Sequence, residues 1–361
     1  MGPLLDPNPR GSLWLYEPES EPRNGSKMDP SKLRHLELKG FPTGHDFHPL
    51  GLEVYPSYAG NASNLYVVNH ARERTVIEQF LLSPSEPDVA TYIRTLTSPY
   101  FLSANSLALT SPDSFYVTND HLITRRLPYI GRFLPLIESV FAFPLSFVSH
   151  ITLQPPSIKP PIQSHQFSVL FMPFSNGISL SPNGTHVAIA STTLGKVFIY
   201  TRNPTTNSLT QIQAVPVPFV PDNIQYTHDG SAIIVAGHPH FPTLANVASK
   251  KTDVAPSWVV SITITDPDVN VPVSTFDTQT PISANTMVPA TAGYELKTLL
   301  QSDGSGFSTS STGLLDPVTG ALYVSGLYAA DGLIICNPTI PIQRAIDPLD
   351  QVPYLWLIDF I

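Results

Sequence analysis

Short runs of alternating apolar and polar residues recur along the chain, each entered through a turn rich in Gly, Asn or Asp. They are residues 64–70 (NLYVVNH), 114–120 (SFYVTND), 183–190 (NGTHVAIA), 229–236 (DGSAIIVA) and 319–326 (TGALYVSG). An alternation of period two over so few residues predicts β-strands. Partner strands follow at 75–80 (TVIEQF) and 196–200 (KVFIY), and 258–264 (WVVSITI) fills the long gap before the last run. The repeat is roughly 40–50 residues, wider where an insertion or a further blade intervenes, which predicts a β-propeller. One four-stranded blade cannot bury both of its faces, so neighbouring blades must stack on it.

Composition supports many short strands and few helices. The chain has 361 residues, 42% of them hydrophobic, and 38 prolines against 20 glycines. Proline is excluded from helix interiors and central strands, so it marks turns and edges. The propeller is expected over 11–337, with an insertion at 121–150 covering its top and an appendage at 338–361. Net charge is −9. With no basic run, nucleic acid is excluded as a partner. No run reaches the 18 or so apolar residues of a membrane span.

Within the insertion, residues 125–140 are apolar with cations at Arg125, Arg126 and Arg132. That pattern fits a segment resting on a membrane or lipid surface, or a covering loop. Sequons at Asn24, Asn61 and Asn183 and the single Cys336 point to the secretory pathway, extracellular or membrane-associated, although the first residues do not read as a signal peptide.

Polar groups stand at strand ends more often than a buried sheet allows. Asn69–His70 and Asn119–Asp120–His121 end runs; Asn176–Gly177 and Asp222–Asn223 precede them; His238 follows one. First strands of propeller blades converge, so Asn and Asp oxygens at equivalent positions would meet. Such a set suits Ca²⁺, which takes six to eight hard oxygen ligands. Each dipeptide alone is also a common turn.

Five segments resemble, in order, those of the serum paraoxonase/arylesterase family of six-bladed, calcium-dependent propeller hydrolases, in a fungal-like version. They are LYVVNH at 65–70, FYVTNDH at 115–121, FSNGISLSP at 174–182, VPDNI at 220–224 and GHP at 237–239. The resemblance implies calcium ligands at Asn105, Asn176, Asp222 and Asn223, a neighbouring histidine at His70 and a rim histidine at His238. It implies hydrolysis of a small hydrophobic ester or lactone, the metal polarising the carbonyl and a base activating water.

The chain departs from the family in four places. Leu50 stands where the family has its water-activating histidine; His48 or Asp222 could serve instead. Ser106 stands where an Asp of a second calcium site is expected. A first strand carrying Glu-Asp is not found before Gly11, so the propeller is expected to lack it, and Cys336 lacks the partner that the family supplies. A non-catalytic propeller serving as a binding scaffold is therefore the alternative.

Overall fold

The computed structural model describes residues 10–17, 32–127, 129–131, 133–265, 293–330 and 332–336, and the backbone of a strand at 356–360. It forms two compact units, divided between Ser175 and Asn176.

The first unit holds β1 (Ser12–Tyr16), β2 (Leu33–His35), β3 (Glu37–Lys39), β4 (Pro49–Tyr55), β5 (Ser63–His70), β6 (Thr75–Leu82) and β7 (Val89–Leu96). β8 (Ala104–Ser111), β9 (Ser114–Asn119), helix α1 (Leu134–Val140), β10 (Ser146–Leu153) and β11 (Ile162–Met172) follow. The second unit holds β12 (Ser175–Leu180) apart from its first residue, β13 (His186–Ser191), β14 (Lys196–Arg202), β15 (Leu209–Pro216), β16 (Val220–Tyr226) and β17 (Ile233–His238). Helix α2 (Phe241–Ala248), β18 (Ser257–Ile264), β19 (Tyr294–Ser302), β20 (Ser310–Leu315), β21 (Leu322–Gly326) and β22 (Leu333–Cys336) complete it. A last strand, β23 (Trp356–Phe360), pairs antiparallel with β1 in the first unit.

The fold class is an all-β propeller, with five blades among the described residues. Each blade is an antiparallel meander in sequence order: β4 to β7, β8 to β11, β12 to β15, β16 to β19 and β20 to β22. β3 extends the first blade in parallel with β7, and β2, β1 and β23 form a separate three-stranded sheet.

The five alternating runs are the second strands β5, β9, β13, β17 and β21. They are apolar on both faces; in β5, Tyr66 and Val68 face the second blade while Leu65 and Val67 pack on Leu13 and Leu15 of β1 with Leu36 and Phe47. Tyr66, Val68 and Ile77 of the first blade pack with Leu107, Phe115 and Val117 of the second. In the second unit, Ala188, Val197 and Ile199 meet Ile224, Val235 and Trp258, while Ile234 and Val259 meet Leu322 and Val324. Fully burying a Val, Leu or Ile side chain contributes about 1.5–3 kcal/mol, so these seams hold the blades together. Two large buried side chains have their polar tips satisfied: Tyr66 donates to the Pro112 carbonyl at 2.7 Å and Trp258 Nε1 to Thr298 Oγ1 at 3.0 Å.

The blades' first strands differ from the rest. Asn176 and Asp222–Asn223, read from sequence as lying before strands, lie inside β12 and β16. Glycine lets two such strands approach closely. A Cβ on Gly51 of β4 would sit 2.1 Å from the Asn105 carbonyl oxygen of β8, and one on Gly177 of β12 would sit 2.6 Å from Asn223 Cα of β16.

Candidate functional site

β4, β8 and β16 each carry a β-bulge. In β4 the register passes from Pro49↔Asn69 to Leu52↔Val67, so Leu50 and Gly51 oppose Val68 alone. In β8 it passes from Ala104↔Asn119 to Leu107↔Val117, leaving Asn105 and Ser106 opposite Thr118. In β16 it passes from Pro221↔Gly237 to Ile224↔Val235, leaving Asp222 and Asn223 opposite Ala236. A bulge breaks the strict alternation of side chains and re-aims them. The bulges hold Leu50, Asn105 and the Asp222–Asn223 pair.

In the second unit, Asn176 Nδ2 donates to Thr192 Oγ1 at 3.0 Å, and Thr192 Oγ1 donates to the Pro221 carbonyl at 2.8 Å. Asn223 Nδ2 donates to Thr312 Oγ1 at 3.0 Å. Both amides are thus anchored by their nitrogen ends. Asp222 Oδ2 lies 3.0 Å from Nε2 of the buried His238, whose Nδ1 is buried with no hydrogen-bond partner among the described residues. Two amides and one carboxylate on adjoining backbone make a hard-oxygen set. Among the described residues no three His, Cys, Asp or Glu side chains cluster as a metal site, so a cation here would rely on amide oxygens. That donor chemistry fits calcium better than a softer metal.

In the first unit, Asn105 Nδ2 reaches Asp120 Oδ2 at 3.5 Å. Asp120 Oδ1 lies 3.0 Å from His121 Nδ1, and His121 Nε2 lies 2.9 Å from Ser139 Oγ on α1. This Ser-His-Asp chain is not a nucleophile. Ser139 donates its proton to the Pro135 carbonyl at 2.9 Å, so it accepts from His121. His121 then donates through both nitrogens, as an imidazolium. Burial alone would lower its pKa; the charge of Asp120 and the hydrogen bond to it outweigh burial and raise it. Burial pushes the Asp120 carboxyl up, yet His121, with Ser103, brings it to about 2. The buried Glu138 of α1 accepts from the Leu122 and Ile123 amides at 3.2 and 3.4 Å. Together these contacts clamp α1 to the end of β9. Sequence reading quoted Asp120 and His121 but had no signal for Ser139 or Glu138.

His70 Nε2 lies 2.6 Å from the Ala104 carbonyl oxygen. A carbonyl only accepts, so Nε2 carries the proton and Nδ1 a lone pair. Burial lowers the His70 pKa to about 4, keeping it neutral at physiological pH. His48 sits beside it: the His70 amide donates to the His48 carbonyl at 2.9 Å. Both ring nitrogens of His48 are buried without a hydrogen-bond partner among the described residues, and burial lowers its pKa. Leu50 instead packs into the apolar seam between the first two blades. Glu53 of β4, which sequence reading passed over, is pushed up to about 8 by burial.

Fold and site define the class: a propeller whose first strands carry amide and carboxylate groups on bulges, with imidazoles on the neighbouring strands and loop. The chain belongs to the Arylesterase family, whose sequence profile it matches over residues 5–293. The resemblance read from the five ordered segments is thereby borne out. The chain is similar to serum paraoxonase/arylesterase 1 of Homo sapiens, 24% identical over 243 residues, 65% of this chain and 59% of that protein. It is similar to serum paraoxonase/lactonase 3 of Homo sapiens at 23% over 245 residues, 68% of this chain and 62% of that one. The match thus spans less than two thirds of either relative. Among solved structures, the periplasmic gluconolactonase of Pseudomonas aeruginosa aligns with a TM-score of 0.45 at 10% identity, over 97% of this chain and 96% of that one.

Proposed function

We propose that this protein is a calcium-dependent hydrolase of carboxylic esters or lactones, acting on a small hydrophobic substrate. The observation that carries the reading is the meeting of the Asn176–Gly177 and Asp222–Asn223 backbones, with both amides anchored through nitrogen to threonine hydroxyls. Asn176, Asp222 and Asn223 would hold the cation. Calcium, when bound, supplies a Lewis acid that polarises the substrate carbonyl.

The chain's own residues supply orientation and proton transfer. His238 fixes the rotamer of Asp222 through its Nε2 contact, as outer partners of ligating carboxylates do. His70, neutral and anchored through Nε2–H, offers Nδ1 as a proton acceptor for water. His48 is the second candidate base, with Asp222 the third. In this reading the propeller has six blades, as the resemblance to the six-bladed family implies; the gap between β17 and β21, read from sequence as two blades, holds β18 and β19 of a single blade among the described residues.

Hydrolysis of phenyl acetate and of δ-valerolactone, with and without EDTA, tests the reading. Activity should vanish on chelation and return with added Ca²⁺. Activity that survives both EDTA and Asp222→Ala removes it. A non-catalytic binding scaffold is the second reading; it is favoured by Leu50, an apolar side chain packed in a seam where the family's histidine would stand.

A further inference from the structure

Glu78 lies on β6 with its side chain fully buried. A carboxylate there is tolerated only if its oxygens are satisfied. Oε1 accepts from His45 Nε2 and Asn69 Nδ2, both at 2.8 Å, and Oε2 accepts from Thr95 Oγ1 at 2.6 Å. The Asn69 amide thus turns its nitrogen towards Glu78. Its Nδ2 also donates to the Asp46 carbonyl at 2.8 Å, and its Oδ1 accepts the His48 backbone amide at 2.8 Å. The Asn69 side chain therefore grips the backbone on both sides of Phe47.

Other contacts complete the hold. The Phe47 ring is buried against Phe41 and Phe80, and its carbonyl accepts from the Gly11 amide at 2.8 Å. The His48 carbonyl accepts from the His70 amide. Residues 45–48 belong to no strand, yet each peptide from Asp46 to His48 is tied down. Glu78, the Asp46 carbonyl and the His48 N–H all favour the same sense of the Asn69 amide. Without Glu78 the Asn69 amide would be held by its two backbone contacts alone.

We propose that Glu78 is a positioning residue for His48: through Asn69 and His45 it sets the backbone that delivers the His48 imidazole to its buried, unpartnered place. The kinetic part of this inference rests on His48 acting as the base in the proposed hydrolysis.

The test compares Glu78→Gln with Thr95→Val in the full chain. Both change one part of the same network, but only Glu78→Gln alters the group to which Asn69 Nδ2 and His45 Nε2 donate. Glu78→Gln is expected to lower kcat for phenyl acetate about 10- to 100-fold with KM changed less than about threefold, since a displacement of roughly 1 Å has effects of that size. Thr95→Val should lower Tm while leaving kcat and KM unchanged. An NMR titration of the His48 imidazole, which needs no activity, should shift in Glu78→Gln and stay put in Thr95→Val. Should Glu78→Gln fail to fold, His45→Gln removes one donor to the same carboxylate and should move the titration in smaller measure. A His48 titration indifferent to these changes, in folded protein, overturns the inference. A kinetically silent His48→Ala would instead remove His48 as the base, while the titration still decides whether Glu78 positions it.

Discussion

Asp222 and His238 face each other at 3.0 Å across the bulge of β16, the carboxylate Oδ2 against Nε2 of an imidazole that is 4% exposed. Asp222 supplies the only negative charge of the proposed donor set. Asp222→Ala is therefore expected to abolish the rise in Tm that Ca²⁺ gives the wild type. His238→Gln leaves the charge but loosens its rotamer, and should weaken Ca²⁺ about 10- to 100-fold. A thermal-shift titration with CaCl₂ reads both. An unchanged Ca²⁺ midpoint in Asp222→Ala would exclude it as a ligand.

Gly177 makes the contact between β12 and β16 possible. An added Cβ would lie 2.6–2.7 Å from Asn223 Cα, the Asp222 carbonyl oxygen and the Ile224 nitrogen. All three are backbone atoms and cannot swing aside. Gly177→Ala should cost about 1–3 kcal/mol, the usual size of overpacking. It should also weaken Ca²⁺, because the donors on either side are pushed apart. Urea unfolding and the same CaCl₂ titration measure the two effects; a loss of stability with unaltered Ca²⁺ binding would show that this contact serves the fold alone.

How far the sequence reveals this arrangement depends on the range of the interactions. β5, β9, β13, β17 and β21 are legible because their turns and alternation are local. The Asp229-Gly230 turn shows why: Asp229 Oδ1 accepts the Ser231 amide at 3.1 Å while Gly230 takes φ +70°. β12 and β16 are harder, because Asn, Gly and Pro inside them read as turn residues. α1 is not legible as a helix packed by an apolar face, since Phe133, Leu136, Ile137 and Val140 around it are exposed and Glu138 is its buried charge. Glu78 and His45 are 33 residues apart, and no pattern of period two or 3.6 links them. The candidate donors were found through resemblance to a family; their bulges and close glycine contacts emerge only in three dimensions.

The clamp on α1 responds to pH through His121. Its folded pKa is raised above the ordinary value of 6.5. Its contribution is fully present below about pH 6.5 and is lost as pH rises through the folded value. His121→Gln should therefore destabilise the protein at about pH 6 by roughly 1.5–3 kcal/mol, the range for hydrogen bonds to a charged group. The gap to wild type should narrow at about pH 9. Urea unfolding at both values decides; a gap that widens with pH would contradict the imidazolium assignment.

The exposed apolar residues of the insertion are proposed to rest on a lipid surface. Tyr129 is 95% and Phe141 67% exposed, with Ile130 and Phe133 beside them. Tyr129→Ser with Phe141→Ser should reduce sedimentation with zwitterionic phosphatidylcholine vesicles severalfold while Tm changes little, because neither side chain is buried. Equal sedimentation of variant and wild type would leave the segment as a covering loop.

Glu53 gives the opposite pH dependence to an ion-paired carboxylate. Burial pushes its pKa up from 4.5 to about 8, against a hydrogen bond from the Val54 amide. Between those values the native state keeps a proton that the unfolded chain has released. Stability must then fall as pH rises across the window, with the full loss reached near pH 8. Glu53→Gln is neutral at every pH and should remove this slope. The variant is expected to melt higher than wild type at about pH 8, with the difference vanishing towards about pH 4.5. Added Ca²⁺ distinguishes a buried acid from a metal ligand. If Glu53 is only a protonated acid, Ca²⁺ should raise the Tm of variant and wild type equally. A variant that melts lower than wild type at pH 8 would show that the carboxylate is ionised and paired in the native state.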